Sequence, residues 1–255
     1  MRWRLRRTVA MVLALVTAAC SDAGGSDDDA ASTTTSAPTA DTVPSSSTTT
    51  EPALTGEPLV VAEQGVSSFP DPVDPAATLG GYGVILQNPN AEVMATGVRV
   101  VTRILDDAGT ELLVDSALLN AVLPGQRMAV GRTLIEPIEG PTRLEVDVEV
   151  SAWLLPASTD GRLVAEGVVT EPEEAGGSIT RFTVRSTWPG DEDGVDVTAV
   201  YRAADGRILG AESTSLAVVP VGEPTAGNIQ LLSPIPDLAA TEVFVGRGFA
   251  ALTIG

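Results

Sequence analysis

A repeat at a spacing of 97 residues constrains this chain more than any other feature, because a chain that repeats itself folds as units with that spacing. Gly97, Val98, Val100, Gly109 and Leu112 match Gly194, Val195, Val197, Gly206 and Leu209 without a gap. Val146 and Val148 match Val243 and Val245, and Pro124 lies one position out of register with Pro220. Upstream, Leu59, Val60, Ala62 and Glu63 resemble Leu163, Val164, Ala165 and Glu166 at an offset near 104. A longer first connection in the first unit, holding Pro70, Asp71, Pro72, Asp74 and Pro75, absorbs the difference. The boundary falls between Pro156 and Gly161, giving modules over 57–156 and 157–255, each the size of a small sandwich. Each half is expected to fold alone.

Each module reads as β-structure. Leu144, Val146, Val148, Val150 and Ala152 alternate with Glu145, Asp147, Glu149 and Ser151, the period of a strand with one buried and one wet face. Val98, Val100, Thr102 and Ile104 form a similar face, followed by a turn through Asp106, Asp107, Ala108 and Gly109. That is a strand, tight turn, strand hairpin. Helical periodicity is nowhere sustained. The expected fold class is all-β, two tandem immunoglobulin-like antiparallel β-sandwiches. With one Cys in the whole chain, neither module has an inter-sheet disulfide.

The segment Ile104, Leu105, Asp106, Asp107, Ala108, Gly109 resembles the Leu-Tyr-Asp-x-x-Gly core of FxLYD domains, immunoglobulin-like modules of bacterial surface lipoproteins. Gln87, Asn88 and Pro89 resemble the strand end before that core, and Leu123, Pro124 and Gly125 the later Pro-Gly turn. Leu105 replaces the family's Tyr. In the second module Tyr201, Arg202 and Ala203 stand at the Leu-Tyr-Asp positions, so the likeness there rests on the internal repeat. The resemblance implies a fold and an envelope location, with no catalytic residues to carry over.

The start of the chain gives an address. Arg2, Arg4, Arg6 and Arg7 precede the uncharged run Thr8 to Ala19, which is the pattern of a secretory signal sequence over 1–19. That run is well short of the ~20 residues a membrane-crossing helix needs. Thr17, Ala18 and Ala19 directly before Cys20 resemble the lipobox of bacterial lipoproteins, with Thr17 in place of the usual Leu. The resemblance implies acylation of Cys20 (palmitate-type lipid) and attachment to the extracytoplasmic face of a bacterial cell membrane. The alternative is ordinary cleavage after Ala19, which leaves a free thiol. Residues 20–56 are Ser, Thr, Ala, Asp, Pro and Gly with few large apolar groups, a composition expected to form a disordered tether. Its Ser/Thr runs either carry O-linked sugars or form a bare spacer.

Composition excludes much chemistry. All 15 basic residues are Arg, and there is no His. That removes His-based catalysis, Lys Schiff bases, P-loop lysines and Cys/His zinc sites. The formal net charge of −19, from 34 acidic residues, argues against nucleic acid as a partner. Gly80, Gly81 and Gly83 are too irregular for a dinucleotide loop and precede an apparent strand. Three features remain. Asp191, Glu192, Asp193, Gly194 and Asp196 gather carboxylates around a turn, where Asp191, Asp193 and Asp196 are candidate Ca²⁺ ligands; a plain acidic turn is the other reading. Trp153, on the face of Glu149 and Ser151, and Trp188, before Pro189 and Gly190, are candidate partner contacts if partly exposed; core lids or an inter-module contact are the other reading. Exposed carboxylate pairs suit glycoside hydrolysis only where they stand ~5 to 9.5 Å apart across a sugar.

The expected function is a non-catalytic, lipid-anchored envelope protein acting as an interaction or spacer module, with no resident cofactor. Its partners are the membrane, through Cys20, and an envelope protein or glycan. The alternatives are a carboxylate-dependent envelope hydrolase or a calcium-dependent adhesion module.

Overall fold

Among the described residues, each half of the chain holds six strands in the same order. In a computed structural model, residues 53–71, 77–134, 138, 140–141, 143–173 and 177–248 are described; the signal sequence, Cys20 and nearly all of the tether lie outside them. The first module holds β1 (Val60–Pro70), β2 (Thr78–Gln87), β3 (Met94–Leu105), β4 (Glu111–Val122), β5 (Arg127–Leu134) and β6 (Arg143–Leu154). The second holds β7 (Leu163–Pro172), β8 (Ser178–Ser186), β9 (Glu192–Arg202), β10 (Ile208–Val219), β11 (Thr225–Leu231) and β12 (Ala240–Gly246). Every strand pairing is antiparallel. The fold is all-β, in immunoglobulin-like sandwiches.

The sheets are β1-β2-β5 and β4-β3-β6 in the first module, and β11-β8-β7 and β10-β9-β12 in the second. No sheet mixes strands from the two halves. The repeat is written into the backbone as well as the sequence. Left-handed residues recur at the 97-residue spacing: Gly97 and Gly194 (φ 57° and 62°), Gly109 and Gly206 (81° and 85°), Gly125 and Gly222 (68° and 73°), and Gly140 and Asp237 (61° and 60°). In the last pair Asp replaces Gly, one of the few side chains that tolerate this conformation. The β3–β4 turn closes as expected, Gly109 N–H donating to the Asp106 carbonyl at 3.0 Å and Thr110 N–H to the Asp106 carboxylate at 2.7 Å. Those N–H donors hold the Asp106 carboxyl below the usual range.

Each sandwich has its own core. Tyr82, Val84 and Leu86 of β2 face Val98, Val100 and Ile104 of β3 in the first. Phe182 and Val184 of β8 meet Val195, Val197 and Tyr201 of β9 in the second. A third cluster joins the modules: Ile85 and Ala129 from β2 and β5 pack on Val200, Ile208, Ala211 and Phe244 from β9, β10 and β12. Residues 50–255 form one compact unit. The sheets therefore stack in four layers, β4-β3-β6, β1-β2-β5, β10-β9-β12 and β11-β8-β7. Strands β2 and β9 lie in the two inner layers, so they are buried along nearly their whole length instead of alternating, as expected of strands covered on both faces.

Close approach at this join depends on missing side chains. A Cβ at Gly81 would lie 2.5 Å from the Leu209 carbonyl oxygen and 3.1 Å from Gly210 Cα; one at Gly83 would lie 2.9 Å from Ile208 Cγ2. Ser67 on β1 donates its hydroxyl to the Leu209 carbonyl, and Thr133 on β5 donates to the Ala211 carbonyl at 3.3 Å. The start of β10 thus crosses all three strands of the opposing sheet with its backbone against theirs. Beside it lies a ring of alternating charge. Glu63 meets Arg127 at 2.5 Å and Arg202 at 2.7 Å, and Arg202 meets Glu242 at 2.9 Å, which faces Arg127 at 3.9 Å.

Because the atoms facing Gly81 are backbone, Gly81→Ala is expected to cost about 1–3 kcal/mol, the range of overpacking. Gly190→Ala, which meets nothing within 4 Å, should stay within about 0.5 kcal/mol of the parent. Urea unfolding of the three proteins decides; equal midpoints for Gly81→Ala and Gly190→Ala would show that the join yields freely.

Candidate functional site

The acidic turn and Trp188, separate in the sequence reading, belong to one structure. Arg247, just after β12, reaches across to Glu192 at the start of β9 in a bidentate pair, Nε to Oε2 at 2.7 Å and a terminal nitrogen to Oε1 at 3.0 Å. The Glu192 side chain is 3% exposed. The Arg247 guanidinium lies 4.3 Å from the Trp188 ring centre, a cation–π contact in a dry setting. On the indole, Gly161 of the inter-module linker sits so close that a Cβ would land on the ring. Trp188 is consequently 3% exposed, which corrects the expectation of partial exposure: Gly161 and Arg247 cover it.

These groups line a cleft of about 210 Å³ where the linker, the β4–β5 turn and the segment after β8 converge, with Leu123, Pro124, Gln126, Arg162 and Leu163 in its walls. The turn is held in place by Gln126, whose Oε1 accepts from Leu123 N–H at 2.9 Å while its Nε2 donates to the Val245 carbonyl at 3.0 Å. The linker is stitched down by Arg162, whose N–H donates to the Thr187 hydroxyl at 2.9 Å and whose carbonyl accepts from Thr187 N–H at 3.0 Å. The cleft is therefore framed by both modules and is complete only when they are joined.

The carboxylates read as calcium ligands point to different partners. Asp191 accepts from Val221 N–H at 2.9 Å. Asp196 accepts from Asn120 Nδ2 of the first module at 2.7 Å. Asp193 is exposed. Among the described residues no group of three His, Cys, Asp or Glu side chains is placed to hold a metal ion. Trp153 is half-buried against the first core, with Gly56 packed on its ring. The alternation that placed it beside Glu149 and Ser151 on the wet face ends at Val150, since Ala152 is exposed. Glu192 is the residue whose role the sequence reading missed, and its position two residues after an aromatic-Pro-Gly turn carries no signal of Arg247, 55 residues away.

No known protein family and no curated protein matches the chain. Among solved structures, the exo-chitosanase of Amycolatopsis orientalis aligns over 65% of this chain and 24% of its own, at 14% identity and a TM-score of 0.25. A variant of that enzyme in complex with PNP-beta-D-glucosamine aligns over 64% and 23%, at 14% identity and a TM-score of 0.23. The chain spans about a quarter of the length of these enzymes. Among the described residues, no helix is long and apolar enough to cross a membrane.

Two predictions follow from this geometry. Glu192→Gln leaves the Arg247 charge buried without its anion and should cost about 3 kcal/mol. Adding Arg247→Met should recover part of the loss, measured as a double-mutant cycle; a single variant within about 0.5 kcal/mol of the parent would mean the pair is solvated. For Asp196, burial raises the carboxyl above its ordinary 3.8 despite the Asn120 hydrogen bond. Folding then favours its protonated form, so a penalty develops as pH rises from 3.8 through the folded value and is full above it. Asp196→Asn keeps an oxygen acceptor for Asn120 and should raise the melting temperature at pH 7, with the gain gone at pH 3. A pH-independent change would point to packing instead.

Proposed function

We propose that the protein is a non-catalytic, lipid-anchored module of the cell envelope, with Cys20 as the acylated residue and a tether to about Gly56. The tether holds a joined pair of β-sandwiches outside the membrane, for interaction with an envelope protein or glycan. The observation that carries this reading is the four-layer join. Its shared core, backbone contacts and ring of charge make one block of two modules, and a block that keeps its two ends in fixed relation suits display and spacing.

The place where the tether meets the block fits such a role. Asn90 receives Glu57 N–H at 2.8 Å and donates to the Glu57 carbonyl at 2.9 Å. Asn88, fully buried, accepts from Asn90 and donates to the Val93 and Val122 carbonyls. A pull on the tether thus meets side-chain hydrogen bonds into the β2–β3 connection before it reaches β1. Asn88 belongs to the strand end, Gln87, Asn88 and Pro89, that resembles the FxLYD family.

In cells fed a fatty-acid analogue, the wild-type protein should take up label and fractionate with membranes, while Cys20→Ser should do neither. Label on both proteins would remove the anchoring part of the proposal.

A further inference from the structure

Within the described residues, every arginine except Arg162 is ion-paired with a carboxylate. In a chain with 34 acidic residues and 15 arginines, a cation left without an anion is the exception. Arg162 lines the cleft at the module junction. So does the one described side chain with a buried polar atom that has no hydrogen-bond partner, Trp188, through its indole Nε1. That N–H is a donor only, and a buried donor left unpaired is costly. Two independent donors without acceptors therefore belong to one cleft.

No described acceptor bonds the Trp188 N–H. Of the acceptors in the cleft, Gln126 Oε1 accepts from Leu123 N–H and the Arg162 carbonyl from Thr187. An oxygen of a bound molecule would complete the Trp188 N–H, which the described residues leave without a partner. Leu123, Pro124 and Leu163 supply apolar wall, so the incoming molecule also carries an apolar part. Stacking on the tryptophan is closed off by Gly161 and Arg247, which excludes the usual platform for a sugar ring and leaves a hydrogen bond from the indole N–H. The volume of about 210 Å³ is below the range of ~300–1,000 Å³ for drug-sized ligands, which limits the occupant to a fragment of one or two residues' size.

We propose that this cleft binds a carboxylate borne on a small apolar group, with Arg162 pairing its charge and the Trp188 N–H donating to an oxygen. A monoanion fits better than a phosphate, whose charge of about −1.5 to −2 would be repelled more strongly by a protein of net charge −19. The site concerns the folded block alone; it neither requires nor supports the acylation of Cys20, so the two proposals fail separately.

The test uses the full chain labelled with ¹⁵N, titrated with N-acetyl-leucine, its neutral amide N-acetyl-leucinamide, and acetate. The full chain has three tryptophans, and the Trp188 indole signal is identified as the one lost in Trp188→Phe. It should move saturably with N-acetyl-leucine, and the amide and acetate should each bind at least about tenfold more weakly, the loss expected on removing a charge-assisted hydrogen bond or an apolar contact. Arg162→Gln, an exposed change that leaves the fold intact, should weaken N-acetyl-leucine binding by about tenfold. The proposal is overturned if the indole signal is unmoved by all three, if the amide or acetate binds as well as the acid, or if Arg162→Gln binds like the parent.

Discussion

The contact on which the rest of this structure depends is the one between the bare backbone of β2 and the start of β10. Sheets usually pack about 10 Å apart with side chains interleaved. Here Gly81 and Gly83 offer no side chain, and the Leu209 carbonyl and Gly210 come down onto the sheet itself. That approach brings Ile208 and Ala211 to Ile85 and Ala129, and sets Glu63 and Arg127 beside Arg202 and Glu242. It also fixes the β4–β5 turn of one module against β12 of the other through Gln126, and with it the cleft. Glu63 carries the electrostatic share: Arg202, and then Arg127, hold its carboxyl below the usual range despite partial burial. That contribution is present above pH 4.5 and is lost as pH falls through the folded value.

What could be read in the sequence follows from where each strand sits among the layers. Outer strands have one wet face, so Val98, Val100, Thr102 and Ile104 alternate with Arg99, Val101 and Arg103, and the structure buries all four. The repeat was legible for the same reason as the turns: glycines at left-handed positions cannot drift, and they kept their spacing. The inner strands are covered on both sides and lose the alternation that would announce them. The run Gly80, Gly81, Gly83 lies in β2, and nothing local in the sequence says which backbone will lie against it. The same holds for the site. Trp188 and the acidic turn stood out by composition, whereas their roles come from Gly161, Arg162 and Arg247, which arrive from the linker and from the far end of the chain.

The acidic turn shows how a single cluster of like charges can be divided by a fold. Four carboxylates within six residues repel one another, and strand geometry separates them by sending alternate side chains to opposite faces. Glu192 goes inward to Arg247, Asp196 goes to Asn120 at the module join, and Asp193 stays in water. Raised carboxyls at the join, Asp196 and Glu212, owe their shift first to burial, so they oppose the pairing that Glu63 favours. The join is held by geometry and apolar burial more than by charge.

The two modules, although related by a repeat, meet through unlike faces. The modules meet head to tail: sheet β1-β2-β5 of the first packs on β10-β9-β12 of the second, and these are not equivalent sheets of the repeat. Such a heterologous contact does not close, so in principle it continues into a filament. The outer faces are built differently from the joined ones. On β8, which corresponds to β2, Arg181, Thr183 and Arg185 stand on the outward face, the face that in β2 carries Gly81, Gly83 and Ile85, and both arginines are tied to Glu171 and Glu166. On β3, which corresponds to β9, Arg99 and Arg103 stand outward, paired with Glu149 and Asp147, at the positions held by Asp196 and Val200 in the join. Long paired side chains on both ends block the bare-backbone approach that the inner sheets need, as capping repeats do in longer arrays. A face that carries glycines and apolar groups at the join carries paired arginines outside, so the bare-backbone approach has no counterpart there.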